Sequence, residues 1–447
     1  MDILSHICLI ILGFGKTGKS IHAYLKYHNI DHNILPSTLP TIEDRYILKT
    51  YKHGHVFENQ LSKAELINLI KTQKKVYISP GIKPTDDIIK VINQNKITCY
   101  TDIDLCMNTF KGKSIAVTGT FGKSSLCKWI ETITSACPTV YSAVGNIGNS
   151  PLYSMFKGIM KTLNYAVELS SYQLYYMSNF QPYFDAVVIL NCHEKHIDWH
   201  GTFKDYRDAK LKLLNCMKSD GIAYVHDSIK PYINHKYIKY EPMYFGLSEM
   251  ADLRFVGNVV YLKQRKIFSD RKGLFKTNLQ KEICLQRIAS LMILDVEVTE
   301  SMLLKEALMD YRLQVIKGVE CSPYTFINDS KSTHPLATMF AMKSNQSSYV
   351  LITYASTICH ELLFPYVLTN PLHLKHICVI VDLDDISMEY ENMSFHDNIE
   401  KALQHLKDSN HQNTDVIFSP GKVSYGEFSD FEQRGRYFMD KIIEFFT

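Results

Sequence analysis

Residues Gly119–Ser125 combine the side-chain types that bind a phosphate chain. The segment reads Gly-Thr-Phe-Gly-Lys-Ser-Ser and stands between an apolar run, Ser114–Thr118, and a helix-like segment. Glycine lets backbone N–H groups approach an anion at a helix start, Lys123 offers a cation to the terminal phosphates, and the Ser124 hydroxyl can bind Mg²⁺. The first glycine is closer to the lysine than in the common GxxxxGK[ST] spacing. We predict an ATP phosphate site formed by Gly119, Thr120, Gly122, Lys123, Ser124 and Ser125.

Three side chains further along the chain are candidates for a metal site. Glu168 lies near the end of the apolar run Tyr165–Leu169, where its carboxylate could be a hard oxygen ligand for Mg²⁺. A charged residue that merely begins a loop is the alternative. His196 could be a second ligand, although a lone histidine in a polar loop is more often solvated. Lys210 follows Tyr206 on a helix-like segment, and its spacing alone indicates an ordinary surface lysine.

A second glycine-rich turn, Gly13–Gly18, follows the first apolar run, Ile7–Leu12. Its three glycines would let backbone N–H groups meet an anion at a helix start, whereas a tight turn without a ligand is the alternative. A dinucleotide-binding domain would also place an acid at the end of its second strand to hold a ribose. Residues 35–38 read Leu-Pro-Ser-Thr and contain no acid. The sequence therefore disfavours a nicotinamide-dependent oxidoreductase.

The last third of the chain carries a further set of acid, hydroxyl and cation. Residues 329–331 read Asp-Ser-Lys and follow the apolar run Tyr324–Ile327. The acid could hold a base or ribose and the lysine could meet a developing negative charge, whereas an N-cap with a solvated lysine is the alternative. A turn at residues 419–421 precedes Ser424 and Arg434. The arginine could bind a carboxylate as a fork or form an ordinary surface ion pair.

Apolar runs that alternate with helix-like segments must position these side chains. The strand candidates are Ile7–Leu12, Val76–Ile78, Ile97–Tyr100, Ser114–Thr118, Tyr165–Leu169, Ala186–Leu190, Tyr324–Ile327, Tyr349–Thr353, His376–Val381 and Asp415–Phe418. This alternation predicts an α/β fold with parallel sheets, whose carboxyl-end edges bind ligands. The pattern restarts near residue 108 and again after residue 311. We therefore predict three domains, residues 1–107, 108–312 and 313–447.

The composition indicates a large globular protein. The chain has 447 residues, of which 46% are hydrophobic and 21% charged, enough to bury several cores. Its 49 Lys and Arg against 46 Asp and Glu give a net charge of +3, too balanced to indicate a nucleic-acid or membrane-surface protein. The 11 cysteines form no CxxC pair, which indicates reduced thiols in the cytoplasm. Asp2 replaces the basic start of a signal peptide, and no run reaches the ~18 apolar residues of a membrane span.

The order of the motifs resembles that of the Mur ligase family. The segments that carry the resemblance are GFGKTG, SPGI, TGTFGKSS, GNIGNSPL, ELSSYQL, HIDWHG, YRDAK, INDSKST and SPGKVSYGEFSDFEQRG. They extend from Ile7 to the C-terminus, and the resemblance is strongest at residues 114–210, 327–334 and 419–435. Within the family, the ELSSYQL and SPG segments are most similar to those of the members that add D-glutamate. A folate-type glutamate ligase is the weaker alternative.

The resemblance implies a function for each domain. A Rossmann-like N-terminal domain would bind the UDP end of UDP-N-acetylmuramoyl-L-alanine, a central P-loop domain with a mostly parallel sheet would bind ATP and Mg²⁺, and a Rossmann-like C-terminal domain would bring in D-glutamate. The residues implied for these two substrates are Gly15, Lys16, Thr17, Ser37, Ser79, Asn146, Ser170, Gln173, Thr333, Ser424, Phe431 and Arg434. Those added to the ATP site are Arg312 and Asp329. The implied metal ligands are Ser124, Glu168, His196 and a carbamylated Lys210, and the implied catalytic residues are Lys123, His196, Lys210 and Lys331.

The reaction that the resemblance implies is an ATP-dependent amide ligation. The γ-phosphate of ATP would pass to the L-alanyl carboxylate, and the amine of D-glutamate would then attack the acyl phosphate in a closed site that excludes water. Such a protein would act in peptidoglycan precursor synthesis, and so in cell-wall biogenesis, cell shape and cell division. We expect a cytoplasmic monomer with neither nucleic-acid nor membrane partners.

Several positions differ from the family's motifs. Phe121 replaces an asparagine of the phosphate turn, and Lys195 replaces an acid beside His196. The other differences are Ile283, Cys284 and Arg287 in the adenine-binding segment, Tyr311 between the second and third domains, and residues 354–358, which lack the family's glycines. A cation beside a metal site is electrostatically unfavourable unless it points away. The alternative that these differences support is a relative that binds a UDP-sugar without efficient catalysis.

Overall fold

The computed structural model describes most of the chain. The described residues are 9–39, 45–156, 164–177, 181–234, 241–305, 310–319, 322–345, 347–355, 359–369, 373–381, 392–409, 413–424 and 427–447. The chain divides into two compact units, Met1–Ala307 and Leu308–Thr447. None of the helices among these residues is both long enough and apolar enough to cross a membrane.

The first sheet of the N-terminal unit has the strand order β4-β3-β2-β1-β5-β6 among the described residues. Its strands are β1 (Ile10–Leu12), β2 (His32–Leu35), β3 (Tyr46–Lys52), β4 (His55–Leu61), β5 (Lys75–Ile78) and β6 (Thr98–Tyr100). Its helices are α1 (Lys16–Tyr27), α2 (Lys63–Lys71), α3 (Asp87–Gln94) and α4 (Asp102–Met107). β1 pairs in parallel with β2 and β5, whereas β3 and β4 form an antiparallel edge. The glycine turn therefore lies at the carboxyl end of a central parallel strand.

The second sheet has the order β15-β14-β13-β12-β11-β10-β7-β9-β8 among the described residues. Its strands are β7 (Ser114–Thr118), β8 (Tyr141–Gly145), β9 (Asn164–Glu168), β10 (Phe184–Ile189), β11 (Met217–His226), β12 (Met243–Phe245), β13 (Leu253–Val256), β14 (Val259–Leu262) and β15 (Arg265–Ser269). Its α-helices are α5 (Lys123–Thr134), α6 (Pro151–Phe156), α7 (Ser171–Tyr176), α8 (Ile197–His200), α9 (Phe203–Leu211), α10 (Asn278–Ile293) and α11 (Glu300–Leu304), and its 3₁₀ helices are Lys212–Cys216 and Asp227–Tyr232. Strands β7 to β13 are parallel, and β14 and β15 add an antiparallel meander. β7, β9 and β10 read as nearly continuous apolar runs because helices cover both faces of a parallel sheet.

The C-terminal unit contains a third sheet with the order β16-β17-β21-β18-β19-β20 among the described residues. Its strands are β16 (Gln314–Val315), β17 (Tyr324–Asn328), β18 (Tyr349–Tyr354), β19 (Leu374–Ile380), β20 (Met393–His396) and β21 (Thr414–Phe418). Its helices are α12 (Pro335–Ser344), α13 (Phe364–Thr369), α14 (Ile399–Asp408) and α15 (Phe431–Phe446), with a π-helical turn at Cys359–Leu363. The pairings are parallel except for β16 with β17.

The three sheets confirm the predicted mixed α/β fold with largely parallel strands. The apolar runs match observed strands, although residues 7 and 8 of the first run lie outside the described residues. Hydrophobic residues from the first two sheets, such as Ile11 and Val167, share one core cluster. The first two predicted domains therefore belong to one compact unit, and the boundaries at residues 107 and 312 stay predictions.

Candidate functional site

The phosphate loop leads from β7 into α5. Gly122 caps the helix with φ of +84°, a left-handed conformation that favours glycine and turns the first N–H groups of α5 outward. Asn191, which follows β10, holds the loop from the side. Its Oδ1 accepts from the backbone N–H groups of Thr120 (3.0 Å) and Phe121 (2.9 Å), and its Nδ2 donates to the Phe121 carbonyl (3.1 Å). Asn191 thus fixes the conformation of the loop through three hydrogen bonds.

Two lysines converge on one carbonyl of this loop. Lys123 Nζ donates to the carbonyls of Gly119 (2.9 Å) and Thr120 (3.1 Å), and Lys210 Nζ donates to that of Gly119 at 2.8 Å. Lys210 is 2% exposed and its Nζ lies 4.6 Å from the Tyr206 ring centroid, so the surface-lysine interpretation is wrong. Burial, and then the charge of Lys123, place the pKa of Lys210 well below its usual range. The amine of Lys210 is therefore poised to be neutral.

Glu168 supplies the carboxylate of the site. It ends β9, is 2% exposed, and accepts from Ser124 Oγ through Oε2 (2.7 Å) and from Asn146 Nδ2 through Oε1 (3.0 Å). The carboxylate and the Ser124 hydroxyl are hard oxygen donors beside a phosphate loop, a set that fits Mg²⁺. No three His, Cys, Asp or Glu side chains within the described residues are grouped to hold a metal. One carboxylate still suffices for Mg²⁺ when substrate phosphates and waters fill its other positions.

His196 stands at the N-cap of α8, half-buried, with its ring 4.9 Å from that of Tyr172 and 6.1 Å from that of Tyr206. Burial and then the positive charge of Lys195 lower its pKa to about 3, so its imidazole is neutral and keeps a lone pair for a metal. Lys195 Nζ lies 5.5 Å from the Phe121 ring centroid. The two departures from the family's motif therefore contact each other.

The hydroxyl of Thr120 is engaged in holding the loop. It shares a hydrogen bond of 2.9 Å with the Tyr206 hydroxyl and accepts from the His193 backbone N–H at 2.9 Å. Sequence reasoning missed Asn191 and Tyr206 as supports of the loop. Asn191 carried one usable signal, because it is a polar residue directly after a buried parallel strand.

Ser170 and Gln173 form a capping box at the start of α7. Gln173 Oε1 accepts from the Ser170 backbone N–H (2.9 Å), and Ser170 Oγ accepts from the Gln173 backbone N–H (3.2 Å). Both predicted muramoyl contacts thus follow β9, directly after Glu168. Their role toward a substrate stays a prediction.

The glycine turn of the first sheet is closed by Ser79. Ser79 Oγ donates to the Gly13 carbonyl (3.1 Å) and accepts from the Gly18 backbone N–H (3.2 Å). A Cβ on Gly18 would lie 2.2 Å from the Gly13 carbonyl oxygen, so this position requires glycine. Ser79 therefore supports the turn through its side chain.

The other predicted nucleotide contacts surround the start of α1. Gly15 is the N-cap of α1 and provides no side-chain cap, and Lys16 beside it is exposed. Ser37 is also exposed and accepts from the Leu39 backbone N–H at 3.0 Å. Thr17 is buried, and its hydroxyl donates to Asp102 Oδ1 at 3.3 Å. Gly15 and Lys16 are thus open to a ligand, whereas the Thr17 hydroxyl faces the protein.

Asp329 lies fully buried after β17 in the C-terminal unit. Its carboxylate accepts from the hydroxyls of Ser419 (2.7 Å) and Ser332 and lies 3.6 Å from Arg312 Nη1. Burial raises the pKa of Asp329, and the Arg312 charge opposes that rise. Arg312 also donates to Ser332 Oγ at 2.9 Å. The two predicted ATP contacts of this unit are therefore neighbours that bind each other.

Arg434 lies on α15 and is only 1% exposed, so it is no surface ion pair. It donates to Ser330 through Nε (3.1 Å, to Oγ) and Nη2 (2.8 Å, to the carbonyl), and through Nη1 to the Lys422 carbonyl (2.9 Å). Lys331 Nζ lies 5.5 Å from the Phe431 ring centroid. Arg434 thus joins α15 to the Asp-Ser-Lys turn.

The remaining predicted positions differ in exposure. Ser424 is buried and Thr333 half-buried. Cys284 is buried on α10, and the Arg287 guanidinium lies 5.3 Å from the Trp129 ring centroid. Of the segment without glycine, residues 356–358 lie outside the described residues.

The sequence matches the family model of the Mur ligase middle domain over residues 117–281. It is 27% identical to the UDP-N-acetylmuramoylalanine–D-glutamate ligase of Petrotoga mobilis, over 97% of this chain and 98% of that protein. The fold is similar to the MurF ligase of Thermotoga maritima in complex with ADP, with a TM-score of 0.54, 14% identity, and 83% and 90% of the two chains covered. It is also similar to the UDP-N-acetylmuramate–alanine ligase MurC of the same organism, with a TM-score of 0.53, 13% identity, and 98% and 100% covered. The chain is therefore similar to Mur ligases in sequence over nearly its whole length and in its α/β fold, and residues 117–281 match the middle domain of that family.

Proposed function

We propose that this chain is an ATP-dependent ligase that joins D-glutamate to UDP-N-acetylmuramoyl-L-alanine in peptidoglycan precursor synthesis. The observation that carries the proposal is the grouping of Lys123, Ser124 and Glu168 at the carboxyl edge of the second sheet. In addition, 97% of the chain aligns with a relative that is named UDP-N-acetylmuramoylalanine–D-glutamate ligase. We place the reaction in the cytoplasm.

The proposed chemistry forms one amide bond and consumes one ATP. The L-alanyl carboxylate attacks the γ-phosphorus, an O–P bond forms, and ADP leaves. The amine of D-glutamate then attacks the acyl carbon, the C–O bond to phosphate breaks, and the amine loses a proton. Lys123 binds the transferring phosphoryl group, and its charge stabilises the negative charge that develops there. The N–H groups at the start of α5 bind the phosphates that remain on ADP.

Mg²⁺ would be held by Ser124 and Glu168, with His196 as a further ligand, and would supply charge neutralisation at the phosphates. Glu168 is suited to this role because both of its oxygens are oriented by hydrogen bonds from Ser124 and Asn146. The neutral His196 is suited because it does not add a positive charge near the metal. Lys195 is directed toward the Phe121 ring, at 5.5 Å from its centroid.

Lys210 is proposed to be carbamylated. A carbamate forms when a neutral amine attacks CO₂, and burial beside Lys123 lowers the pKa of Lys210 so that the neutral amine is accessible. The modification would replace a neutral amine beside the Gly119 carbonyl by a group with an anionic oxygen donor. A carbamate signal in ¹³C NMR after incubation with ¹³C-bicarbonate, absent in Lys210→Arg, would support it. An unmodified Lys210 in fully active protein would exclude it.

The substrates are proposed to bind at residues of all three sheets. Gly15, Lys16, Thr17, Ser37 and Ser79 would hold the UDP end, since α1 begins without a side-chain cap at Gly15 and carries the exposed cation of Lys16. The residues proposed for the muramoyl part are Asn146, Ser170 and Gln173. Arg312 and Asp329 are proposed for the ATP site, and Lys331 for the acyl phosphate. Thr333 is proposed to lie near D-glutamate, and Ser424, Phe431 and Arg434 are proposed to border its site.

The deciding experiment measures product formation by the full chain. Purified protein is incubated with ATP, Mg²⁺, UDP-N-acetylmuramoyl-L-alanine and D-glutamate, and ADP and the amide product are quantified by mass spectrometry. We expect equimolar ADP and product, no product with L-glutamate, and loss of both with Ser124→Ala. Folded protein that binds the UDP-sugar in a calorimeter but forms no product would overturn the proposal in favour of the binding-only relative.

A further inference from the structure

A buried carboxylate joins the first two sheets of the N-terminal unit. Asp102, the first residue of α4, is 2% exposed. Its Oδ1 accepts from the Thr17 hydroxyl of α1 at 3.3 Å, and its Oδ2 accepts from the Ser150 hydroxyl at 2.5 Å. Ser20, one turn along α1, donates to Ser150 Oγ at 2.8 Å. One side chain therefore connects α1, the helix behind the glycine turn, to Ser150 in the loop that follows β8 of the second sheet.

Ser150 ends a loop that contacts the proposed metal carboxylate. The loop follows β8 and is closed by a hydrogen bond of 3.1 Å from the Gly145 N–H to the Asn149 carbonyl. Its Asn146 donates from the backbone to the Glu168 carbonyl (2.9 Å) and from Nδ2 to Glu168 Oε1 (3.0 Å). A continuous path of short contacts thus leads from the glycine turn through Asp102 and Ser150 to Glu168.

Because Asp102 is buried, its carboxylate depends on hydrogen bonds from the protein. A carboxylate removed from water needs hydrogen-bond donors, and a missing donor costs more than the same contact contributes at the surface. Thr17 and Ser150 are two of its donors, and both are themselves buried. α1 and the loop before α6 are therefore held at a fixed separation by the same group.

We propose that Asp102 is a positioning residue for the ligation, which fixes the distance between the glycine turn and Glu168. The inference rests on the proposed function. A substrate held by its UDP end at α1 must present its carboxyl group at the phosphate loop, and a misplacement of about 1 Å can cost about 100-fold in rate. Asp102 touches neither reacting group and acts through Thr17 and Ser150.

A matched control lies two residues away on the same helix. Asp104 is also fully buried, and it accepts from the Thr101 N–H (2.7 Å), the Thr101 hydroxyl (2.8 Å) and the Tyr183 hydroxyl (3.2 Å). These contacts cap α4 and reach the second sheet without touching the glycine turn or the Ser150 loop. Asp104→Asn therefore reproduces the loss of a buried carboxylate with a different set of partners.

The test compares Asp102→Asn, Ser150→Ala and Asp104→Asn in the full chain. For each variant we would measure kcat, the Kd of UDP-N-acetylmuramoyl-L-alanine, the Kd of a non-hydrolysable ATP analogue, and Tm. We expect kcat to fall about 10- to 100-fold in Asp102→Asn and about tenfold in Ser150→Ala, with each Kd changed by no more than about threefold. Asp104→Asn should keep kcat within about threefold of the wild type even if its Tm falls as much as that of Asp102→Asn.

Two results would overturn the inference. One is undiminished kcat in Asp102→Asn, and the other is an equal loss in Asp104→Asn at the same Tm, which would make the effect one of stability. Wild-type turnover is measured first, so that its absence identifies a failure of the proposed function. Active wild type with a fully active Asp102→Asn variant identifies a failure of this inference alone. Ser150→Ala keeps the test decisive if Asp102→Asn does not fold.

Discussion

The second sheet and the third sheet both bury charged side chains at the carboxyl ends of parallel strands, yet they use them differently. In the second sheet, Lys123 and Lys210 donate to the same carbonyl of the phosphate loop, and Glu168 accepts from the loop's own serine. In the third sheet, Asp329 is held by serine hydroxyls and an arginine. Arg434 donates to three oxygens of its own unit.

The difference lies in where the hydrogen bonds end. A lysine bonded to a carbonyl of the phosphate loop can exchange that neutral acceptor for a phosphate oxygen, which is charged and binds the ammonium more strongly. Arg434 would have to give up its bond to the Lys422 carbonyl and leave the buried Ser330 carbonyl unpaired before it could bind a carboxylate. Burial of charge alone therefore does not identify a ligand site. The partners that a ligand could replace are the better guide.

The largest expected effect is the loss of catalysis in Lys123→Ala. The variant removes the cation at the transferring phosphate, and we expect kcat to fall about 100- to 1000-fold with little change in Tm. Lys128→Ala is the matched control, because Lys128 lies on the same helix and pairs with Glu131 at 2.6 Å. Steady-state kinetics with thermal melts of both variants make the measurement. A similar loss in both variants would mean that α5 tolerates no charge deletion and would break the comparison.

A substitution of Arg434 tests whether the buried charge of the C-terminal unit supports the fold. Arg434→Ala removes three donors and leaves the buried acceptors of Ser330 unpaired, so we expect the free energy of unfolding to fall by about 3 kcal/mol. Denaturant titration of the full chain measures this fall, and Arg434→Lys should recover only part of it because an ammonium cannot span the three acceptors. If Arg434→Lys instead raised the KM for D-glutamate at unchanged stability, the guanidinium would be a substrate ligand and the two sheets would work alike.

Sequence reasoning found the elements of the site that are local in the chain. A buried strand, a glycine turn and a helix start lie within a dozen residues of Lys123, so their pattern can be read directly. The same holds for Glu168 at the end of β9. Strand β4 of the antiparallel edge was missed because its side chains are mostly exposed, so that it contains no buried apolar run to detect.

The parts that sequence could not reveal depend on partners far apart in the chain. Thr17 and Asp102 are 85 residues apart, and Thr120 and Asn191 are 71 apart. The bond from Lys210 to the Gly119 carbonyl joins residues 91 apart, so the helical spacing of Lys210 does not reveal it. The partners of Arg434 are equally distant, with Ser330 104 residues away. From sequence alone, an arginine that binds a ligand cannot be distinguished from one that supports a turn, because the difference lies in these distant partners.

The glycine turn of the first sheet, residues 13–18, is a third candidate ligand site, and it can be tested for phosphate binding separately from its effect on stability. Gly18→Ala would place a Cβ 2.2 Å from the Gly13 carbonyl oxygen, so the turn must open, at a cost of about 2 kcal/mol in stability. We also expect weaker binding of UDP, measured by calorimetry. Gly81→Ala is the control, since a Cβ there meets no atom within 4 Å. Intact UDP affinity in a destabilised Gly18→Ala would show that the turn shapes the fold and binds no phosphate.

The smallest expected effect concerns His396 on β20, where a titration in the third sheet should change stability and leave catalysis unaffected. Burial, and then the charge of His405, lower the pKa of His396 from 6.5 to about 4. Below pH 6.5 the His396 imidazole binds a proton in the unfolded chain but stays neutral in the folded chain, which favours unfolding. The stability that His396 contributes is therefore complete above pH 6.5 and is lost as the pH falls toward 4. Denaturation midpoints from about pH 7.5 to about pH 4.5 should therefore fall less steeply in His396→Gln than in the wild type. The exposed His55, changed to Gln, should leave the slope unaltered, and parallel curves for all three proteins would show that His396 carries no such linkage.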